Sequence, residues 1–146
     1  MTKPGIGMSS AAALLLVVAL GVSGCKGPVD PSQNVTSPCT GSVQPLSYGN
    51  ICSFTISNNG EFTVTMTSLI PGQAYIGLGY GLFSGGTCQF QQAAPLGPSN
   101  IGTAALSGQV LTTGAYCVQA FDPSLQYAGY PSLVVPQNYT VQVSHP

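Results

Sequence analysis

Five cysteines are the most reactive side chains in this sequence of 146 residues. Apart from Cys25, they are Cys39, Cys52, Cys88 and Cys117. An even number of cysteines in an exported domain predicts disulfides, and four cysteines allow three pairings. A structural zinc site would need closely spaced pairs such as Cys-x-x-Cys, and no two of these residues lie that close. The cysteines therefore predict two disulfides and no metal site.

Acid–base chemistry has few candidate residues. Within residues 38–146 the carboxylates are Glu61 and Asp122, and the single histidine, His145, is the penultimate residue. A general base needs a titratable group near the working pH, and a paired-carboxylate glycosidase would need both carboxylates across one cleft. No motif around either residue indicates such a cleft, and we expect His145 to be a solvated chain end. We predict no catalytic residue, no cofactor and no enzymatic activity.

Two tyrosines are the candidate ligand-binding residues. Tyr127 and Tyr130 lie in a proline-rich segment, and Gln126 stands beside them. Aromatic rings offer flat apolar faces for sugar rings, and amides can hydrogen-bond to sugar hydroxyls. This segment is therefore a candidate site for a neutral polysaccharide. The alternative is that both tyrosines fold back and cap one end of the domain.

The charge content excludes one class of partner. The chain has two Lys+Arg and three Asp+Glu, which is 3% of its residues, and its net charge is −1. A globular domain usually carries about 25% charged residues. Binding to a phosphate backbone requires a basic surface, so the composition excludes nucleic acid as a partner. Because 44% of the residues are hydrophobic, it also argues against intrinsic disorder.

Residues 1–24 are typical of a secretion signal. Lys3 precedes an apolar stretch at residues 11–22, which suits a signal core and is too short for a transmembrane helix. The run Val22-Ser23-Gly24-Cys25 that follows resembles the lipobox of bacterial lipoproteins. This resemblance implies cleavage before Cys25, a diacylglycerol on its thiol and attachment to a membrane of the bacterial cell envelope. Lys26 favours the outer membrane, while the alternatives are an ordinary cleaved signal and a short membrane anchor.

The rest of the chain divides at residue 38. Residues 25–37 contain the lipidation site and a short proline-containing linker, which we expect to be a disordered tether. Residues 38–146 are enough for one domain with a modest core.

Hydrophobic periodicity in this domain predicts strands. Phe62, Val64 and Met66 alternate with polar residues, as in a half-buried strand. Glycines alternate from Gly77 to Gly81, which predicts that another group packs closely on that face or that the strand bends there. We expect seven or so strands in an antiparallel β-sandwich, with loops at 92–100 and 123–137.

Five runs carry a resemblance to a known family: residues 54–56 (Phe-Thr-Ile), 60–67 (Gly-Glu-Phe-Thr-Val-Thr-Met-Thr), 77–81 (Gly-Leu-Gly-Tyr-Gly), 114–118 (Gly-Ala-Tyr-Cys-Val) and 138–143 (Asn-Tyr-Thr-Val-Gln-Val). Together they resemble the bacterial pre-peptidase C-terminal type of domain, found in secreted hydrolases and envelope proteins. The resemblance implies a jelly-roll-like antiparallel β-sandwich without catalytic residues. Calcium-binding members use clustered acidic side chains, which this domain lacks.

The resemblance also suggests a disulfide pairing. It places Cys88 and Cys117 on strands in the latter half of the domain, which predicts a bridge between them. Cys39 and Cys52 then close a short loop. We predict the pairs Cys39–Cys52 and Cys88–Cys117.

These observations favour an exported, lipid-anchored envelope protein that acts as a non-catalytic binding or structural module. Its partners would be the membrane, through the lipid on Cys25, and a polysaccharide or an envelope protein. One alternative is a carbohydrate-binding module that uses Tyr127 and Tyr130. Another is an accessory domain of a secreted hydrolase system.

Overall fold

The computed structural model describes residues 27–146. The predicted signal segment 1–24, the predicted lipidation site Cys25 and Lys26 lie outside the described residues.

The described chain forms an antiparallel β-sandwich of eight strands. Three short 3₁₀ helices, at Pro31–Gln33, Pro98–Asn100 and Pro123–Leu125, lie in the connections, and residues 27–146 contain no α-helix. The strands are β1 (Val35–Val43), β2 (Tyr48–Ile56), β3 (Gly60–Ile70), β4 (Ile76–Ser84), β5 (Thr87–Leu96), β6 (Ala104–Val110), β7 (Gly114–Phe121) and β8 (Gln137–His145).

The two sheets have the strand orders β1-β8-β3-β6 and β2-β7-β4-β5. We call them the first and second sheet. Strand β1 pairs with β8, β2 with β7, β3 with β6 and β4 with β5, so the chain resembles one long hairpin rolled into two layers. This is the arrangement of a double-sheet jelly roll, and the predicted fold class is confirmed.

The core lies between the two sheets and follows the predicted alternation. Phe62, Val64 and Met66 of β3 are buried, as expected from their shared parity. Strands β4 and β7 of the second sheet contribute the facing side chains, and β8 of the first sheet contributes inward side chains beside those of β3. The core members from these strands are Ile76, Leu78, Tyr80, Tyr116, Val118, Ala120, Tyr139, Val141 and Val143.

Differences from the predicted strands fall at sheet edges. Edge strand β1 begins at Val35, inside the segment that composition assigns to the tether. Edge strand β5 continues to Leu96, through the first part of the predicted loop at 92–100. Pro38 and Pro95 interrupt the sequence pattern in these strands, but an edge strand tolerates proline because one side of its backbone makes no ladder hydrogen bonds.

The connections define two ends of the sandwich. At one end, the backbone amide of Asp122 donates to the Ser47 carbonyl, 2.9 Å away. At the other end, the Val29 amide donates to the Asn59 carbonyl, 2.7 Å away, and joins the N-terminal segment to the start of β3. We refer to these as the Asp122 end and the Gly60 end. Strands of about nine residues separate them by roughly 25 Å.

His145 lies at the Gly60 end, and the expectation that it is a solvated chain end is wrong. Its side chain is 3% exposed, and its ring stacks on Phe54 with centroids 4.8 Å apart. The Nε2 atom lies 3.0 Å from the Ser37 hydroxyl. The reason is register: β8 continues through His145, which pairs with Val35 of β1, so the histidine has the inward parity of the strand.

The structure contains both predicted disulfides. Cys39–Cys52 joins β1 to β2, and therefore links the two sheets. Cys88–Cys117 joins β5 to β7, which lie on either side of β4 in the second sheet. The Cα atoms are 5.8 Å and 5.7 Å apart, within the usual range for a disulfide.

Candidate ligand-binding site

The outer face of the second sheet carries aromatic side chains in place of the expected polar ones. On β7, Tyr116, Val118 and Ala120 point into the core, so Gln119 and Phe121 have the outward parity. The outer face of the first sheet is different. It is built from hydroxyls and amides, such as Thr63 of β3, and the outward positions of β8 are Asn138, Thr140, Gln142 and Ser144.

The glycines of β4 form the base of this aromatic surface. A Cβ atom at Gly77 would overlap the ring of Phe121, and one at Gly79 would lie 2.5 Å from the ring of Phe90. These two rings therefore lie directly on the β4 backbone. The prediction that another group packs closely on the glycine face is confirmed, and the groups are Phe90 and Phe121.

Phe90 and Phe121 begin a row of five aromatic rings that runs along the Asp122 end. Successive centroids are 5.4 Å, 6.3 Å, 6.0 Å and 5.4 Å apart. Phe121 is fully buried beneath its neighbours, whereas Tyr75 is 47% exposed. We call this set the aromatic row, and its members in order are Phe90, Phe121, Tyr127, Tyr130 and Tyr75.

A shallow depression flanks the row on the outer face of the second sheet. Its volume is about 460 Å³. Tyr48, 49% exposed, forms one wall, with its ring centroid 5.7 Å from that of Phe121 and 6.3 Å from that of Phe90. We call this depression the Tyr48 hollow. It is lined by Tyr48, Ile51, Thr87, Cys88, Phe90, Gln119 and Gln126, none of which is charged.

Two amides give the hollow fixed polar groups. The Nε2 atom of Gln119 donates to the Gly49 carbonyl at 2.8 Å, and the Nε2 atom of Gln126 donates to the Tyr48 hydroxyl at 3.3 Å. Both amide oxygens remain without a hydrogen bond to the described protein. The hollow therefore offers oriented acceptors beside apolar ring faces.

The predicted residues Tyr127 and Tyr130 both belong to the aromatic row. Each is partly buried, and their rings meet at 65°, so they do not form a coplanar platform. Burial, and then the neighbouring phenol of Tyr130, raise the pKa of Tyr127 above its usual value. The Tyr127 hydroxyl thus keeps its proton at neutral pH and can donate a hydrogen bond.

Sequence reasoning missed the ring and the amide that dominate the hollow, Tyr48 and Gln119. The sequence did contain a signal that this outer face carries an aromatic ring. Phe121 and Gln119 have the parity opposite to the core residues of β7, and Gly77 faces Phe121 in the register of β4 and β7. An aromatic residue opposite a glycine on an outward face indicates a ring lying on the sheet.

Asp122 holds the segment that carries the row. Its carboxylate accepts five hydrogen bonds, from the backbone amides of Leu46, Ser124 and Leu133 and from the hydroxyls of Ser124 and Ser132. Burial raises the pKa of this carboxyl, but the hydrogen bonds outweigh burial and hold the pKa well below its usual range. Asp122 is therefore a structural anion with its oxygens already engaged.

Glu61 and Asp122 do not face a common cleft. Glu61 lies next to Gly60 at the start of β3, and Asp122 follows β7 at the opposite end of the sandwich. Their separation is far beyond the 5–9.5 Å, approximately, that a paired-carboxylate glycosidase requires. The described residues also contain no cluster of three or more His, Cys, Asp or Glu side chains.

Two further depressions differ from the hollow. The larger, about 510 Å³, lies at the Gly60 end between residues 28–31 and 59–61, and the carboxylate of Asp30 on its wall accepts a hydrogen bond from the Ser32 amide. The other, about 430 Å³, adjoins Tyr75 and is lined mainly by apolar side chains of segments 71–75 and 131–137.

No helix among residues 27–146 is long and apolar enough to cross a membrane.

Comparison of the chain with protein-family models and with curated proteins found no match. The resemblances to the lipobox and to the pre-peptidase C-terminal type of domain therefore remain predictions from the sequence.

Proposed function

We propose that this protein is a lipid-anchored, non-catalytic binding module of the bacterial cell envelope. The observation that carries the proposal is the Tyr48 hollow, an uncharged depression of about 460 Å³ with aromatic walls and oriented amides. An outer sheet face that only meets solvent has the composition of the first sheet, with hydroxyls and amides on each strand. The second sheet instead exposes ring surface, which is typical of a binding face.

The position of the N-terminal segment supports attachment by that end. Residues 28–31 pack beside the start of β3 at the Gly60 end, held there by the hydrogen bond from Val29 to Asn59. The aromatic row lies at the Asp122 end. A lipid on Cys25 would therefore hold the domain with its aromatic row directed away from the membrane.

A binding role rather than a catalytic one is supported by the two carboxylates of the domain. The carboxylate of Asp122 accepts its hydrogen bonds from within the protein, and Glu61 lies at the opposite end of the sandwich from the hollow. Neither group is placed to act as a general base on a molecule bound beside Tyr48.

The anchor is tested in the native host by mass spectrometry of the mature protein. We expect an N-terminal Cys25 that carries acyl chains, and we expect Cys25→Ser to release the protein from the membrane fraction. A product cleaved elsewhere, or an unmodified Cys25, would contradict lipid attachment.

The binding role is tested with the purified protein and envelope fractions from the same host. We expect the wild type and Thr140→Ala, which alters the outer face of the first sheet, to bind equally. Tyr48→Ala should bind less, since it removes the exposed wall of the hollow. Equal binding by all three proteins, or no binding by any, would refute this role for the hollow.

A further inference from the structure

We propose that the ligand of the Tyr48 hollow is a neutral polysaccharide whose chain extends from the hollow along the aromatic row. This inference rests on the proposed function and names the ligand class of that same site. It differs from a site formed by Tyr127 and Tyr130 alone, because it places the main contact on the sheet face.

Charge is the first argument for a neutral ligand. The lining of the hollow contains no Asp, Glu, Lys, Arg or His side chain. The nearest acidic residue along the chain, Asp122, has its carboxylate buried and hydrogen-bonded within the protein. A charged ligand would lose hydration here without gaining an ion pair. Uronic-acid polymers and amino-sugar cations are thus poor fits.

The combination of groups is the second argument. A pyranose ring has apolar C–H faces and a rim of hydroxyls, so it needs flat apolar contacts and uncharged hydrogen-bonding groups together. Tyr48 and Phe90 provide ring faces, and the free amide oxygens of Gln119 and Gln126 accept hydrogen bonds from hydroxyls. The Thr87 hydroxyl donates to the Ser84 carbonyl at 2.7 Å and retains acceptor capacity.

The spacing of the rings is the third argument. Three consecutive rings of the aromatic row are at least partly exposed, and the successive centroids of Tyr127, Tyr130 and Tyr75 are 6.0 Å and 5.4 Å apart, close to the repeat of one sugar unit in an extended chain. The row ends at Tyr75, beside the apolar depression of about 430 Å³. A linear polymer can therefore contact several rings in succession, whereas a single small molecule would occupy only the hollow.

The rings are fixed before a ligand arrives. Phe121 lies on Gly77, Phe90 lies on Gly79, and the Cys88–Cys117 disulfide ties β5 to β7 at the edge of the hollow. Little side-chain freedom is left to lose on binding, which lowers the entropic cost of association. This favours recognition of a repeating, rigid polymer by shape.

The test uses the purified full-length protein and isothermal titration calorimetry. The probes are cello-oligosaccharides and malto-oligosaccharides as neutral chains, with polygalacturonate and chitosan oligosaccharides as charged ones. We expect one neutral series to bind, with affinity that increases with chain length. Failure of both neutral series, or preference for a charged polymer, would overturn the inference.

Variants locate the binding on the sheet face. We expect Tyr48→Ala and Gln126→Ala to weaken the neutral oligosaccharide by about tenfold, and Tyr48→Phe to retain most of the affinity because the ring remains. Thr140→Ala on the opposite sheet is the matched control and should bind as the wild type does. Thermal melting checks that each variant is folded. Undiminished binding by Tyr48→Ala and Gln126→Ala would exclude this site.

The two proposals fail in different ways. If envelope fractions bind in a Tyr48-dependent manner but neither neutral oligosaccharide competes, the partner is another envelope component, such as an envelope protein, and only the polysaccharide inference falls. If an oligosaccharide binds at Tyr48 while Cys25 carries no lipid, the inference stands and the membrane-anchored role falls.

Discussion

Two buried tyrosine hydroxyls differ in whether they have a partner. Tyr139 is 4% exposed and donates to the Asn50 carbonyl at 2.8 Å, whereas the hydroxyl of Tyr80, 2% exposed, has no hydrogen-bond partner among residues 27–146. Removing a buried hydroxyl lowers the free energy of unfolding only where a hydrogen bond is lost. A buried hydroxyl without a partner carries a desolvation cost instead.

We therefore expect replacement by phenylalanine to affect the free energy of unfolding differently at the two tyrosines. Tyr139→Phe should lower the free energy of unfolding by about 1 kcal/mol, because it leaves the Asn50 carbonyl without its donor. Tyr80→Phe should leave that free energy unchanged or raise it. Urea unfolding of the two variants beside the wild type measures both, and a clear loss for Tyr80→Phe would contradict the assignment of Tyr80 as unpartnered.

Asp122 makes stability depend on pH in the acid range. Its pKa is depressed in the folded state below the usual aspartate value of 3.8, so its contribution is fully present above that value. The contribution is lost as the pH falls from about 4 toward the folded-state pKa, because the protonated carboxyl accepts fewer hydrogen bonds. We expect the wild type to lose unfolding free energy below about pH 4.

Asp122→Asn separates this effect from other acid sensitivity. The amide cannot accept all five hydrogen bonds, so we expect a loss of about 3 kcal/mol at neutral pH and a flatter pH profile below pH 4. Denaturant unfolding at a series of pH values gives both quantities. A variant with the same acid slope as the wild type would show that another group causes it.

For single residues, the sequence predicts burial correctly where the alternation of inward and outward residues along a strand is enough to decide it. Met66 was expected in the core and is fully buried. Sequence reasoning failed for His145, since the continuation of β8 to the end of the chain depends on pairing with β1, which is distant in sequence. It also missed Tyr48, because that residue begins a strand and its neighbours are set by β7 and by the packing of Phe90.

Among the elements, the disulfides constrain the sandwich in different ways. Cys39–Cys52 spans 13 residues and joins the two sheets, and Cys88–Cys117 spans 29 residues within one sheet. In the chain-entropy model these loops correspond to about 3 and about 3.5 kcal/mol.

We expect the double variant Cys39→Ala/Cys52→Ala to lose about 3 kcal/mol of unfolding free energy while ligand binding persists, because neither cysteine lines the hollow and Cys52 packs against the core. Cys88→Ala/Cys117→Ala should lose a similar amount and also weaken binding, since Cys88 lines the hollow. Chemical unfolding and calorimetry distinguish the two. Equal binding by both double variants would show that the second bridge does not shape the site.

The central strands were predictable from the sequence, whereas the edge strands were predictable only in part. Strands β3, β4 and β8 are flanked on both sides, so most of their inward residues are apolar and the alternation is clear. Edge strands β1 and β5 hold their place mainly through backbone pairing with one neighbour, and proline is permitted in them. The sequences of β1 and of the second half of β5 therefore resemble linkers, and only the three-dimensional pairing identifies them as strand.

For the whole molecule, the near absence of charge determines how binding responds to salt. With a net charge of −1 and an uncharged hollow, the proposed association has no ion pairs to screen. We expect the affinity for envelope fractions or neutral oligosaccharides to change by less than about twofold between about 0.05 M and about 0.5 M NaCl. Titrations at the two salt concentrations test this, and a steep decline would indicate an electrostatic partner.

The pairing of β1 with β8 has a mechanical consequence. Val35 pairs with His145, so force applied between the N-terminal segment and the C-terminus acts on the same end of one antiparallel ladder. Such a load opens the ladder one pair at a time, like a zipper, instead of shearing all its hydrogen bonds together. The peeling of β1 stops at Cys39, which is opposite Val141 and is covalently joined to β2. Beyond that residue the disulfide transmits the load on β1 to β2, so the first disulfide limits how much of β1 tension can detach from the sandwich.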